Sequence, residues 1–236
     1  MSNSHIVIGD VHGCYDELVD LFTKLPEDVP VTFVGDLVDR GPKSAQVVKF
    51  VRDGGYDCVR GNHEQMMINY ARRYGGIFDW GIWTHPRNGG DTTLASYGSD
   101  KDSPRENQQF VDDVKWMEDL PIYLTYDDVK NERGDGLVVS HSSIGSQWKA
   151  IQRGNPWYPD EVMWGRPYEI RAAKGYYNVF GHTPLEVEKI KKVYANIDTG
   201  CVFGQYLTAI MYPELEVFTT DSNYNILDIL KEAGEI

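Results

Sequence analysis

Three short apolar runs, each closed by a glycine, limit what this chain can fold into: HIVIG at 5–9, VTFVG at 31–35 and YDCVRG at 56–61. Their apolarity is continuous rather than alternating, the pattern of strands covered on both faces. Between the first two, CYDELVDLFTKL sets Leu18, Leu21, Phe22 and Leu25 at helical spacing. Between the second and third, KSAQVVKFVRDGG carries Val47, Val48, Phe50 and Val51 up to a Gly-Gly stop. Residues 5–61 therefore predict β-α-β-α-β. Right-handed crossovers bring the C-terminal ends of such strands to one edge of the sheet, and ligands of open α/β sheets bind at that edge.

The rest of the chain reads less regularly. Residues 63–120 are helical in tendency but broken by Gly, Pro and Asn, and NQQFVDDVKWMEDL is their best amphipathic helix. PIYLTY and GLVVSHSS predict strands, and YNVFGHTP, KVYANIDTG, QYLTAIMY and LEVFTT predict a second, mixed sheet. NYNILDILKEAGEI reads as a short terminal helix or a frayed tail. A length of 236 residues fits one domain over 1–236, with a helical and loop insertion at about 75–120. No apolar run reaches membrane-spanning length, and the N-terminus lacks the pattern of a secretory signal. Three unframed cysteines suit a reducing, cytoplasmic compartment. The net charge of −13 argues against a nucleic-acid or anionic-membrane partner.

What stands at the strand ends is chemical. Asp10 and His12 follow the first run, Asp36 the second and Asn62 the third, at two equal spacings of 26 residues. His141 ends GLVVSH and His182 ends YNVFGH. Carboxylate, imidazole and amide oxygen without thiolate suit manganese, iron or zinc. Six such residues exceed the needs of one ion, whereas two divalent ions sharing a carboxylate fit them. Asp10, His12 and Asp36 are the candidates for one ion; Asp36, Asn62, His141 and His182 are those for the other. Two such ions leave the pocket cationic, hence selective for an anion, and lower the pKa of water from about 16 toward roughly 7 to give a hydroxide nucleophile. His63, next to Asn62, is the candidate general acid, and Asp39 its orienting partner. Arg40, Arg60 and Arg166, with Asn62, are the candidates for holding phosphate. Glu64 and the tryptophans Trp80 and Trp83 are assigned to structure and packing.

GDVHG at 9–13, GDLVDRG at 35–41 and GNHE at 61–64, followed by SH and GHT, resemble the phosphoprotein phosphatase family of calcineurin-like metallophosphoesterases. RGNHEQMM, GHTP and IDTG look closest to its small bacterial and phage branch, typified by bacteriophage lambda phosphatase. The resemblance implies an α/β fold of two mixed β-sheets in a sandwich flanked by helices. It also implies phosphate clamps at Arg40 and Arg166, and manganese as the activating ion. Where the larger family often has Gly or Ala after its metal-binding histidine, this chain has Ser142 and Ser143, which affects neighbouring substrate contacts. The expected activity is hydrolysis of phosphoserine or phosphothreonine, with phosphotyrosine admitted, on phosphoprotein partners. The alternative is a symmetrical bis(5'-nucleosyl)-tetraphosphatase, whose second motif typically has alanine at the position of Asp39; the aspartate favours the protein phosphatase.

Overall fold

The computed structural model describes residues 3–73, 81–99, 103–154, 158–232 and 234–235. The expected β-α-β-α-β unit is present: β1 (His5–Ile8), α1 (Tyr15–Phe22), β2 (Val31–Phe33), α2 (Ser44–Asp53) and β3 (Asp57–Cys58). β1 pairs with β2 and β2 with β3, all parallel. α3 (Asn62–Arg72) begins at the third strand-end residue itself. Next come α4 (Gly90–Ser96) and α5 (Gln108–Glu118), the latter inside the segment predicted as the amphipathic helix. Asn107 caps α5, its side-chain oxygen accepting from Phe110 N at 3.0 Å. Of the segment expected as an insertion, residues 75–80 and 100–102 lie outside the described residues, as does Trp80.

The second half supplies β4 (Tyr123–Tyr126), β5 (Gly136–Ser140), α6 (Trp148–Ile151), α7 (Tyr158–Trp164), β6 (Tyr176–Phe180), β7 (Lys189–Ile190), β8 (Tyr194–Asn196), β9 (Tyr206–Tyr212), β10 (Glu216–Asp221) and α8 (Ile226–Glu232). Two mixed five-stranded sheets result, ordered β10-β9-β1-β2-β3 and β4-β5-β6-β8-β7. The short helices α6 and α7 carry no long periodic pattern and are additions to the sequence-based expectation.

Side-chain alternation explains the layering. On β1, Val7 points into an apolar layer shared with Leu137, Val139 and Val179 of the other sheet, while Ile6 and Ile8 pack with Leu18, Val47 and Val48 of α1 and α2. On β5, Leu137 and Val139 face inward between the sheets, and Val138 packs outward with Ile144, Trp148 and Val162. Each sheet therefore buries both faces, which is why its strands read as continuous apolar runs. The C-terminal ends of β1, β2, β3, β5 and β6 deliver Asp10, Asp36, Asn62, His141 and His182 to one edge. No helix among the described residues is long and apolar enough to cross a membrane.

Candidate active site

Asp36 is the hub. Its Oδ1 lies 3.3 Å from His141 Nε2, and its Oδ2 lies 3.5 Å from His12 Nε2 and 4.0 Å from His63 Nε2. Asn62 Oδ1 is 2.8 Å from His141 Nε2 and 2.9 Å from His182 Nδ1. Two groupings of ligand atoms form, His12–Asp36–His63 and Asp36–His141–His182, all buried and each within 4.8 Å. Asp10 was expected beside His12 and Asp36. It is buried at the same edge, but its carboxylate accepts the His182 backbone N–H at 3.1 and 3.2 Å.

The donor set fits metal ions. His12 Nδ1 donates to Val38 O at 2.8 Å, and His141 Nδ1 donates to Val34 O at 2.9 Å. Those bonds fix the tautomers and turn each Nε2 lone pair toward oxygen acceptors. Lone pairs of histidine, amide and carboxylate converging on one point repel unless a cation lies among them. His141 shows the demand for positive charge: burial lowers its pKa, yet Asp36 prevails and raises it to about 10. At His12, Arg40 supplies the charge, donating from a terminal nitrogen to Nε2 at 2.5 Å. Glycine makes the close approach possible. A Cβ on Gly61 would come within 2.2 Å of Asp36 Oδ1, and one on Gly181 within 1.8 Å of Asp10 Oδ1.

His63 and Asp39 form a buried pair, Nδ1 to Oδ2, at 2.6 Å. Trp83 Nε1 donates to both Asp39 oxygens at 2.9 and 2.8 Å, and Thr93 Oγ1 donates to Oδ1 at 2.7 Å. Burial pushes the Asp39 pKa well up, and burial with the nearby Arg40 pushes that of His63 well down. Both shifts disfavour a separated ion pair, and His63 Nε2 lies toward the hub, 4.0 Å from Asp36 Oδ2. Trp83, expected to be packing, thus touches the dyad; its distance of 44 residues from Asp39 hid the contact.

Glu64 is structural, as expected, and its role is specific. Its carboxylate accepts the backbone N–H groups of Asp36 (2.8 Å), Leu37 (2.8 Å) and Gly61 (2.9 Å). It clasps the loop of Asp36 to the loop of Asn62. Asp198 was quoted only as part of IDTG, yet it is buried and lines the same cavity. Burial first, then the Asp36 charge, push its carboxyl up to about 6, against the Gly200 N–H that holds it down. An acid just past an apolar strand, part of the signal that marked Asp36, was available for it too.

The cavity over these residues measures about 340 Å³, with Arg40 and Arg166 on its walls. Arg40 also lies over the Phe203 ring, 5.4 Å from its centroid. Arg60 is not among the lining residues. Its guanidinium is directed to Leu120 O (3.0 Å), Glu118 O (3.2 Å) and Gln65 Oε1 (3.0 Å), tying β3 to the end of α5. The phosphate contact expected of Arg60 does not follow from this placement, because its donors already serve carbonyls outside the cavity.

The sequence pattern of the calcineurin-like phosphoesterases matches residues 5–206. The chain belongs to that family. The curated relatives of this phosphoesterase include the asymmetrical bis(5'-nucleosyl)-tetraphosphatase PrpE of Bacillus velezensis, 32% identical, with 92% of each chain covered. The protein of the same name from Bacillus subtilis is 34% identical, covering 92% of this chain and 94% of its own. A solved structure of a candidate diadenosine tetraphosphatase superposes with a TM-score of 0.68 at 20% identity, covering 94% of this chain and 95% of its own. A cold-active protein-tyrosine phosphatase from Shewanella reaches 0.57 at 18% identity over 89% of this chain and 76% of its own; it shares the fold.

These relatives overturn the expected protein-phosphatase activity and its phosphoprotein partners. Proteins about a third identical over nearly their whole length carry a dinucleoside tetraphosphatase name. The physical reason for the error lies in Asp39. Asp39 argues only for a partner of a general acid at His63, and such a role says little about what the leaving oxygen is attached to. The bacteriophage lambda branch finds no support in these relatives.

Proposed function

We propose that this phosphoesterase hydrolyses bis(5'-nucleosyl) tetraphosphates asymmetrically, into a nucleoside triphosphate and a nucleoside monophosphate. The observation that carries the reading is the near full-length likeness to relatives of that name. A buried ligand set under a cavity with two arginines on its walls supports it. Two manganese ions are the expected cofactors. Asp10, His12 and Asp36 would hold one, and Asp36, Asn62, His141 and His182 the other. When bound, such ions acidify water and neutralise phosphate charge. Around them, Arg40 and Arg166 draw in the tetraphosphate and fix the phosphate under attack. His63 Nε2 gives its proton to the departing phosphate oxygen, and Asp39, Trp83 and Thr93 keep the imidazole aimed.

Incubation with diadenosine tetraphosphate and manganese, with products separated by anion exchange, tests this directly. ATP and AMP in equal amounts are expected. ADP as the sole product would mean symmetrical cleavage, and absence of turnover with manganese, iron or zinc would refute the substrate assignment.

A further inference from the structure

Six large apolar side chains are exposed among the described residues, and two of them, Trp164 (44%) and Ile82 (50%), line the cavity that holds the metal-ligand groupings. An indole left in water at the mouth of a polar site is a cost to the free protein that a ligand with an apolar face would remove. Packing does not account for it. Val162 and Met163, just before it on α7, are buried, and Val162 packs with Val138, Ile144 and Trp148. Trp164 turns away from that cluster. Two positions later Arg166, also exposed, lines the same cavity.

The turn that carries Trp164 and Arg166 is anchored to the metal-ligand edge. Ser142, the residue after His141, uses its backbone N–H to donate to Val162 O at 2.8 Å and its hydroxyl to donate to Gly165 O. Gly165 N donates to Glu161 O at 3.0 Å, and a Cβ at Gly165 would come within 2.2 Å of that oxygen. The departure at Ser142 thereby acquires a role: it fixes, relative to His141, the backbone that carries Trp164 and Arg166. Ile82 is held comparably, its carbonyl accepting from Asn88 Nδ2 at 2.7 Å, and the neighbouring Trp83 indole is bound to Asp39.

We infer that Trp164 is the nucleoside-recognising residue of this site, its indole stacking on one base while Arg166 binds the phosphates attached to it and Ile82 lines the same mouth. The ligand class is a purine or pyrimidine nucleoside carrying a polyphosphate. The inference rests on the proposed substrate class and deepens it. A base has a π-face and no charge, so Trp164 adds affinity that a bare polyphosphate cannot use. The stack is remote from the bond that breaks. It therefore acts on KM and leaves kcat nearly constant.

The test compares ATP with inorganic tripolyphosphate, which share three linked phosphates and differ by the nucleoside. Their dissociation constants are measured by calorimetry with manganese, for the wild type, Trp164→Ala and Trp164→Phe, beside KM and kcat for diadenosine tetraphosphate. Trp164→Ala should weaken ATP about tenfold, within the range that base–aromatic stacking supplies, and shift tripolyphosphate less than about twofold. Trp164→Phe, which keeps a ring, should recover most of the loss. KM for diadenosine tetraphosphate should rise in parallel with the ATP constant. Equal weakening of both ligands, unchanged ATP binding in Trp164→Ala, or no recovery in Trp164→Phe would each overturn the inference. A wild type that binds ATP better than tripolyphosphate through Trp164 but does not cleave diadenosine tetraphosphate would refute the proposed reaction and leave the nucleoside site standing.

Discussion

Replacing Glu64 should damage stability and metal binding together, by an amount the structure allows to be worked out. The carboxylate is fully buried and accepts three backbone N–H groups at 2.8–2.9 Å, with a fourth, Val38 N, at 3.4 Å. Hydrogen bonds to a charged group contribute about 1.5–3 kcal/mol each, so three give roughly 5–9 kcal/mol. Against this stands the cost of the charge. Burial first, and repulsion from Asp36 second, raise the Glu64 pKa from 4.5 to about 7, which corresponds to about 3 kcal/mol. A net loss of about 4 kcal/mol is expected for Glu64→Ala. Glu64→Gln keeps the shape but replaces one acceptor oxygen with an NH2 that faces N–H donors; its loss should be about 2–3 kcal/mol. Urea unfolding of the metal-free protein measures both. A domain of this size loses about 2–4 °C of Tm per kcal/mol, so Glu64→Ala should melt about 10 °C lower. Because Glu64 joins the loops of Asp36 and Asn62, calorimetric manganese affinity should fall as well. Losses under about 1 kcal/mol in both variants would refute the clasp.

Asp36→Asn should lower the stoichiometry of bound manganese measured by elemental analysis, since one carboxylate faces both ligand groupings; two ions retained per chain would contradict that geometry. His63→Asn should leave occupancy nearly intact and reduce kcat by about two to four orders of magnitude, with the larger loss on alkyl phosphates, whose alkoxide leaves poorly. Equal losses on alkyl and aryl phosphates would remove His63 from the role of acid. His5 is buried, hydrogen-bonds Thr32 Oγ1 at 2.7 Å, and is held by burial at a pKa of about 4 against the ordinary 6.5. Between these values the unfolded chain binds the proton and the folded chain does not, so this contribution is present above pH 6.5 and is lost as pH falls toward 4, by about 3 kcal/mol. His5→Gln should therefore narrow the gap in unfolding free energy between pH 7 and pH 4.5, both measured with chelator; an unchanged gap would discount His5 as the cause.

Much of the fold was legible because one physical signal was repeated. Strands buried on both faces write themselves as apolar runs, and the residue after each run had to lie at the shared edge; Asp10, Asp36, Asn62, His141 and His182 all do. What stayed hidden depends on contacts between residues far apart in sequence. Arg60 and Arg40 look alike beside their motifs, and the carbonyls of Glu118 and Leu120 that engage Arg60 leave no mark near it. Trp83 and Thr93 reach Asp39 across 44 and 54 residues. Helices α6 and α7 are too short for periodicity and owe their form to packing on the second sheet.

The backbone shows why substrate choice was the hardest property to read. Seven non-glycine residues among those described have positive φ, and five of them, His12, Asp36, Asp39, Arg40 and His182, lie in the ligand loops or the dyad. Left-handed backbone at such residues costs on the order of 1 kcal/mol or more each and persists only where surrounding bonds over-determine it. Here those bonds are visible: Glu64 on Asp36, Ser44 and Thr93 on Asp39 N, and Asp36 O on His12 N. Loops held so tightly have little freedom left to follow a substrate, so their motifs by themselves do not specify one. If the inferred nucleoside contact holds, discrimination rests on Ile82 and on the Trp164–Arg166 segment at the end of α7, which carry no such strain. Those segments lie where hydrophobic periodicity is weakest, so nothing in the apolar pattern pointed to them.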